Sequence, residues 1–194
     1  MMTDIEKTKH VRAITMSPMN KVAEALKTTN GDVEKAIAWL ISQKAADAAD
    51  IQKRTANASA VFSYVHNQRV GAMVVLAAQT DFVVKVEMFA ELAKNIGMHI
   101  VSTPVAPEYV DEASIPAEVL EAWKNVFTQE CQGKPEKIIG NIVQGKLKKK
   151  LAEVCLVNQK FVKDDTITVG ELIAKTSATV GEKIEVKRFV RLQA

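Results

Sequence analysis

The chain has few cysteines, no long apolar run and no large excess of charge. Its two cysteines, Cys131 and Cys155, show no CxxC spacing and no adjacent histidine, so neither a disulfide framework nor a zinc site is suggested and reduced thiols are expected. No stretch approaches the roughly 18 consecutive apolar residues of a membrane span, and the N-terminal MMTDIEKTKH carries acids without an apolar signal core. The expectation is a cytoplasmic protein with no membrane partner. A net charge of +3 is far from the cationic excess of a nucleic-acid coat protein, so RNA contact is permitted without being required. What is present is the 47% hydrophobic share of a globular protein, over a length of 194 residues that suits one ordinary domain and a small satellite.

The satellite comes first. Ile5, His10, Val11 and Ile14 suggest a helix that stops before Ser17-Pro18, where Ser17 can cap a second helix and Pro18 takes its first position. Met19, Val22, Ala23 and Leu26 give that second helix an apolar side. After the Asn30-Gly31-Asp32 turn, Val33, Ala36, Ile37, Leu40 and Ile41 recur at helical spacing. Residues 1–43 therefore form a three-helix module, and the alanine-rich segment 44–57, without a strong apolar face, reads as a linker, whether helical or not. From residue 58 the period changes. SAVFSYVH (59–66) and RVGAMVVLAA (69–78) flank Asn67-Gln68 as a β-hairpin. Phe82, Val86, Phe89, Ala93, Ile96 and Ile100 then predict one continuous helix from Asp81. Helices over about 116–129 and 135–154, a strand over 155–162, a helix over about 169–179 and a strand over 183–192 complete residues 58–194. The fold class is α+β, with helices packed on a small antiparallel sheet.

Little here is suited to covalent chemistry. GELIAKT (170–176) approaches a phosphate-binding loop, but Ala174 stands where the second glycine belongs, and the segment falls in a helix. His10, His66 and His99 form neither a metal spacing nor a nucleophile and base pair. No cofactor or metal is expected. Lys146, Lys148, Lys149 and Lys150 surround Leu147 and Leu151 on a helix, which suits a solvated face or an acidic or RNA partner. Thr80-Asp81-Phe82-Val83 lies at a strand-to-helix corner, and its residues support two readings. Asp81 interacts favourably with a helix N-terminus and Phe82 falls on the apolar stripe, or the acid and the ring project as a probe.

NGDVEKAIAWL (30–40), QTDFV (79–83), LAKNIGMHI (92–100), GKPEKIIGNIVQGKL (133–147), EVCLVNQKFVKDD (153–165) and VGEKIEVKRFVR (180–191), in this order and spacing, resemble translation elongation factor Ts over essentially the whole chain. The resemblance implies a ubiquitin-associated-like N-terminal module and a core domain with a three-stranded antiparallel sheet. It implies a guanine-nucleotide exchange factor, not an enzyme, that binds elongation factor Tu carrying GDP and disturbs the partner's Mg²⁺ and phosphate site. Thr80, Asp81, Phe82 and Val83 are the implied contact at that site, with Asp81 and Phe82 inserting. Met19 and Asn20 are the implied contact of the N-terminal module. There TMSPMNKVAEAL (15–26) replaces the family's usual TGAGMMDCKKAL, so Lys21, Val22, Ala23 and Glu24 depart from the usual Asp-Cys-Lys-Lys. The chain also resembles the short form of the family, without the helical-hairpin insertion. Short forms tend to form homodimers; Val190 stands where some carry a cysteine, which implies association without a disulfide. The alternatives are an RNA-binding or scaffold accessory of translation or replication without exchange activity.

Overall fold

The computed structural model describes residues 3–15, 17–131 and 135–194, so Met16 of the TMSPMN stretch and Gly133 and Lys134 of the GKPEKI motif lie outside the described residues. The fold is α+β and forms two compact units, divided between Lys53 and Arg54.

In the first unit α1 (Asp4–Thr15), α2 (Met19–Thr28) and α3 (Val33–Lys53) close around Val11, Val22, Ala25, Ala36 and Leu40. Asn30 and Gly31 take positive φ, and the Asp32 carboxylate accepts the Lys35 N–H at 3.1 Å, which caps α3. Several expectations shift. Ile5, Ile14, Met19 and Ile41, assigned to apolar sides, are all more than half exposed. So small a bundle has room for about one buried residue per turn on each helix. Ser17 does not cap α2. It is buried, its hydroxyl donates to the Thr15 carbonyl at 3.5 Å, and Pro18 with ψ 149° is the residue that precedes the first turn. The alanine-rich segment from residue 44 continues α3 as far as Lys53, in keeping with alanine's high helix propensity.

In the second unit β1 (Ala58–His66), β2 (Val70–Ala78) and β5 (Ile184–Gln193) form an antiparallel sheet in the order β1-β2-β5. The β1-β2 turn closes with Arg69 N–H on the His66 carbonyl, and Asn67 and Gln68 both take the positive φ of a tight hairpin turn. The inner face, with Ala72, Val74, Leu76, Ile184 and Val186, packs on α5 (Glu87–Ser102) through Phe89, Leu92, Ala93, Ile96 and Ile100. Phe62 and Phe89 meet at 5.8 Å between ring centroids. Gly97 lets α5 approach the sheet, since a Cβ there would lie 3.0 Å from that of Tyr64. The outer face alternates out of the core and presents Val61, Val65, Met73, Val190 and Leu192, each 45–67% exposed.

The helix expected to run unbroken from Asp81 is two helices. A single turn, α4 (Asp81–Val84), is followed by Val86 in an extended conformation (φ −78°, ψ 146°), and only then by α5. In an unbroken helix Phe82 would stand two turns before Phe89 on the same stripe. The break rotates the first turn, so Val83 and Val84 face the core and Phe82 does not.

Beyond α5, α6 (Ala117–Gln129) and α7 (Glu136–Val154) form a helical hairpin around Ile115, Leu151, Val154 and Trp123. The expected strand over 155–162 is mostly absent. Leu156 and Val157 N–H groups bond the Tyr109 and Val110 carbonyls, residues 156–158 make one 3₁₀ turn, and only β3 (Lys160–Phe161) is strand, paired with β4 (Asp164–Thr168). The expectation missed β4. α8 (Val169–Val180) then starts with a capping box in which Thr168 and Glu171 satisfy each other's backbone N–H, and it ends on Gly181 in the left-handed region (φ 76°). Cys131 and Cys155 are buried and free; desolvation, reinforced by Asp111 and Glu112, pushes the Cys155 thiol up to about 11.

Candidate functional site

The corner that joins β2 to α4 is where one residue's change of direction separates structural from available side chains. Gln79 is half-buried and Thr80 is extended (φ −126°, ψ 153°), so the chain leaves the sheet straight and enters α4 abruptly. Val83 is 4% exposed within the core cluster, whereas Phe82 is 77% exposed. Hydration of so large an apolar ring gains nothing for the free chain. Asp81 is exposed and forms no ion pair among the described residues. The corner thus offers a ring and a carboxylate side by side, on a turn held down by Val83 and Val84.

The corner is also tied to a distant loop. Thr80 N–H donates to Glu182 Oε2 at 3.0 Å and the Thr80 hydroxyl to Glu182 Oε1 at 2.8 Å. Lys183 N–H donates to Gln79 Oε1 at 3.0 Å. Sequence reasoning missed Gln79 and Glu182, because a contact spanning about a hundred residues leaves no local spacing to read.

In the first unit, Met19 is 53% exposed and Asn20 is exposed, both at the start of α2. Of the next four residues, Val22 is a fully buried core residue, Ala23 is exposed, and Lys21 pairs with Glu24 at 3.8 Å. These four residues therefore place one core side chain and one self-neutralising exposed pair on that helix.

The lysine run is partly engaged within its own hairpin. Lys146 pairs with Glu130, which raises its pKa, and lies 5.9 Å above Phe127. Lys150 lies 5.7 Å above Trp123 and 3.9 Å from Glu153. Lys148 and Lys149 are exposed. His10 and His66 are exposed, and His66 Nδ1 lies 3.3 Å from the Tyr64 hydroxyl. His99 is buried in the core. Its Nδ1 accepts the Val162 N–H at 3.2 Å and its Nε2 lies 3.0 Å from Gln159 Oε1, so the neutral ring with the proton on Nε2 satisfies both partners. Burial lowers its pKa, against the raising effect of the Gln159 bond. Gly170 to Thr176 lie within α8, so no phosphate-cradling loop forms there. Among the described residues no cluster of three or more His, Cys, Asp or Glu is placed to hold a metal ion, and no helix is long and apolar enough to cross a membrane.

Against known proteins, the family model described as Elongation factor TS matches residues 2–194. Curated relatives that bear the name Elongation factor Ts match along most of the chain, among them the following three. That of Desulfotalea psychrophila (strain LSv54 / DSM 12343) is 40% identical over 187 residues, spanning 95% of this chain and 94% of the relative. That of Oleidesulfovibrio alaskensis (strain ATCC BAA-1058 / DSM 17464 / G20) is 41% identical over 189 residues, with 95% and 94% spanned. That of Trichodesmium erythraeum (strain IMS101) is 39% identical over 186 residues, with 94% and 84% spanned.

Proposed function

The chain belongs to the elongation factor Ts family, and from that premise we propose that it is a cytoplasmic exchange factor that binds elongation factor Tu carrying GDP and accelerates GDP release. The observation that carries this reading is Phe82, 77% exposed on a single helical turn whose next residue, Val83, is buried. A probe needs a rigid base and a free tip, and the corner has both.

In a nucleotide site of this kind, Mg²⁺ bridges phosphate oxygens and loop amides surround them, which makes GDP dissociation slow. Phe82 enters between apolar side chains of the partner's nucleotide domain, driven by desolvation of the ring. Asp81 brings a negative charge and two acceptor oxygens toward the groups that support the metal. Thr80 borders the partner's site, and Val83, buried in the core, holds the corner in register from within. No covalent bond is made or broken. The factor and the nucleotide weaken each other's binding by the same amount, because the coupling between two sites is reciprocal. Met19 and Asn20 supply a second contact from the first unit.

The outer face of the sheet serves a different purpose in this account. Val61, Val65, Met73, Val190 and Leu192 form a continuous apolar patch on strands whose other face is already covered by α5. A second copy of this chain is its partner, face to face about a two-fold axis, so that the same patch serves both protomers. Val190 makes that contact noncovalent.

Release of a fluorescent GDP analogue from purified elongation factor Tu, followed by stopped flow with and without this chain, tests the exchange reading. Acceleration that saturates with chain concentration is expected; an unchanged release rate overturns it.

A further inference from the structure

We propose that Glu182 is the positioning residue of the exchange corner: it clamps Thr80 from the α8-β5 turn and thereby fixes the direction in which Asp81 and Phe82 project. The inference rests on the exchange reading given above and adds to it a residue far from the TDFV motif in sequence.

The geometry is that of a two-point clamp. Both Glu182 oxygens are used on one residue, one on the Thr80 N–H at 3.0 Å and one on its hydroxyl at 2.8 Å. Bonds to a charged carboxylate are stronger than neutral ones, and two of them on one residue fix orientation as well as distance. Thr80 stands at the N-cap position of α4, yet its side chain makes no capping bond to the helix. Its hydroxyl proton is directed outward to Glu182 instead. A four-residue helix cannot hold its own shape, because its first and last turns are the same turn. Its direction must come from outside.

The far side of the clamp is rigid. Gly181 ends α8 in the left-handed region with its N–H on the Ser177 carbonyl at 2.9 Å, and its own carbonyl accepts from Arg54 Nη1 at 3.3 Å. Lys183 N–H is held by Gln79 Oε1, and Ile184 N–H by the buried Ser177 hydroxyl, each at 3.0 Å. Residues 79 and 80 thus meet residues 182 and 183 through three hydrogen bonds, one pair crossed by the Glu182 side chain and the other by Gln79. On the corner's inner side Val83 provides the anchor. Core packing sets where α4 sits; Glu182 sets how its first residue is turned.

Loosening the clamp leaves docking by other contacts intact and reduces the fraction of corners aimed for insertion, so the maximal rate falls and the half-saturating concentration does not. The test uses the full chain with elongation factor Tu and fluorescent GDP, for wild type, Glu182→Ala, Thr80→Val and the double variant, together with melting curves and amide exchange of the free chain. Expected for Glu182→Ala is an about fivefold lower maximal release rate with an unchanged half-saturation point. The melting temperature stays near wild type, and amide exchange over residues 80–84 is faster. Thr80→Val removes the hydroxyl half of the clamp and keeps the backbone half, whereas Glu182→Ala removes both, so the double variant is expected to be no slower than Glu182→Ala alone. Wild-type release from the Glu182→Ala chain overturns the clamp while leaving the exchange reading standing. Multiplying effects of the two substitutions overturn it in favour of a direct contact between Glu182 and the partner. A wild-type chain that speeds no release overturns the exchange reading and the inference with it.

Discussion

Adjacent substitutions at Phe82 and Val83 separate the two parts of the corner. Phe82 is 77% exposed and a phenylalanine offers about 200 Å² of surface, so closing a partner over it removes about 150 Å² from water. At about 25 cal/mol per Å² that is about 4 kcal/mol, of which imperfect fit and ordering leave the roughly 2–4 kcal/mol typical of an anchor residue. Phe82→Ala is therefore expected to slow stimulated GDP release about 100-fold, the equivalent of about 2.7 kcal/mol. The free chain loses no packing and its stability stays within about 0.5 kcal/mol of wild type. Val83, at 4% exposed, behaves in the opposite way. Val83→Ala removes two buried methyl-sized groups and leaves a cavity, at a cost of about 2 kcal/mol. That lowers the melting temperature by about 5 °C. Circular dichroism melts and stopped-flow release measure the two quantities on the same samples. A Phe82→Ala chain that melts as low as Val83→Ala refutes the outward placement of the ring, and one that melts and stimulates release like wild type refutes its role as the probe.

His99 gives the fold a pH dependence of known sign. Its pKa is lowered in the folded chain, so between the unfolded value of about 6.5 and the folded value only the unfolded chain takes up a proton. Stability then falls with falling pH by about 1.4 kcal/mol per unit and levels off below the folded value. Urea unfolding from pH 7 to 5 with an NMR titration checks this, and a His99 ring that titrates at or above about 6.5 contradicts it. Thr168→Ala breaks the capping box of α8 and is expected to cost about 1 kcal/mol in urea unfolding; combining it with Glu171→Ala should add little, whereas full additivity excludes a reciprocal cap. Met73→Glu sets a charge in the outer face of the sheet and is expected to convert a dimer to a folded monomer in sedimentation, while a wild-type chain that sediments as a monomer at all concentrations removes the paired-sheet proposal.

Most elements were legible because burial and period agree. The hairpin turn at Asn67-Gln68 and β5 follow from turn residues and alternation that the structure reproduces, and α6 and α7 start directly after Pro116 and Pro135. The elements that were not legible depend on partners distant in sequence. The break at Val86 leaves the period of the apolar residues intact, and only the competition of Val83 and Val84 for the core turns Phe82 away. The segment 155–158 has strand-like residues, yet its N–H groups are claimed by Tyr109 and Val110. β4 was overlooked because its five residues are polar or half-buried and pair with only two others. Thr168 and Glu171 carried a readable signal in the spacing of a capping box. Of the proposed corner, Asp81 and Phe82 are the inserting residues that the family resemblance implies. Glu182 was not legible, since nothing local distinguishes it from a solvated acid following a helix-ending glycine.

The most direct measurement is GDP release from elongation factor Tu across a range of free Mg²⁺, with wild-type chain and with Phe82→Ala. Insertion at the corner predicts that wild type speeds release most strongly where Mg²⁺ is abundant and adds progressively less as the metal is withdrawn, because chelation and insertion then dismantle the same shell. Phe82→Ala should lose most of that Mg²⁺-dependent gain. An acceleration that is independent of Mg²⁺ and undiminished in Phe82→Ala would contradict the account.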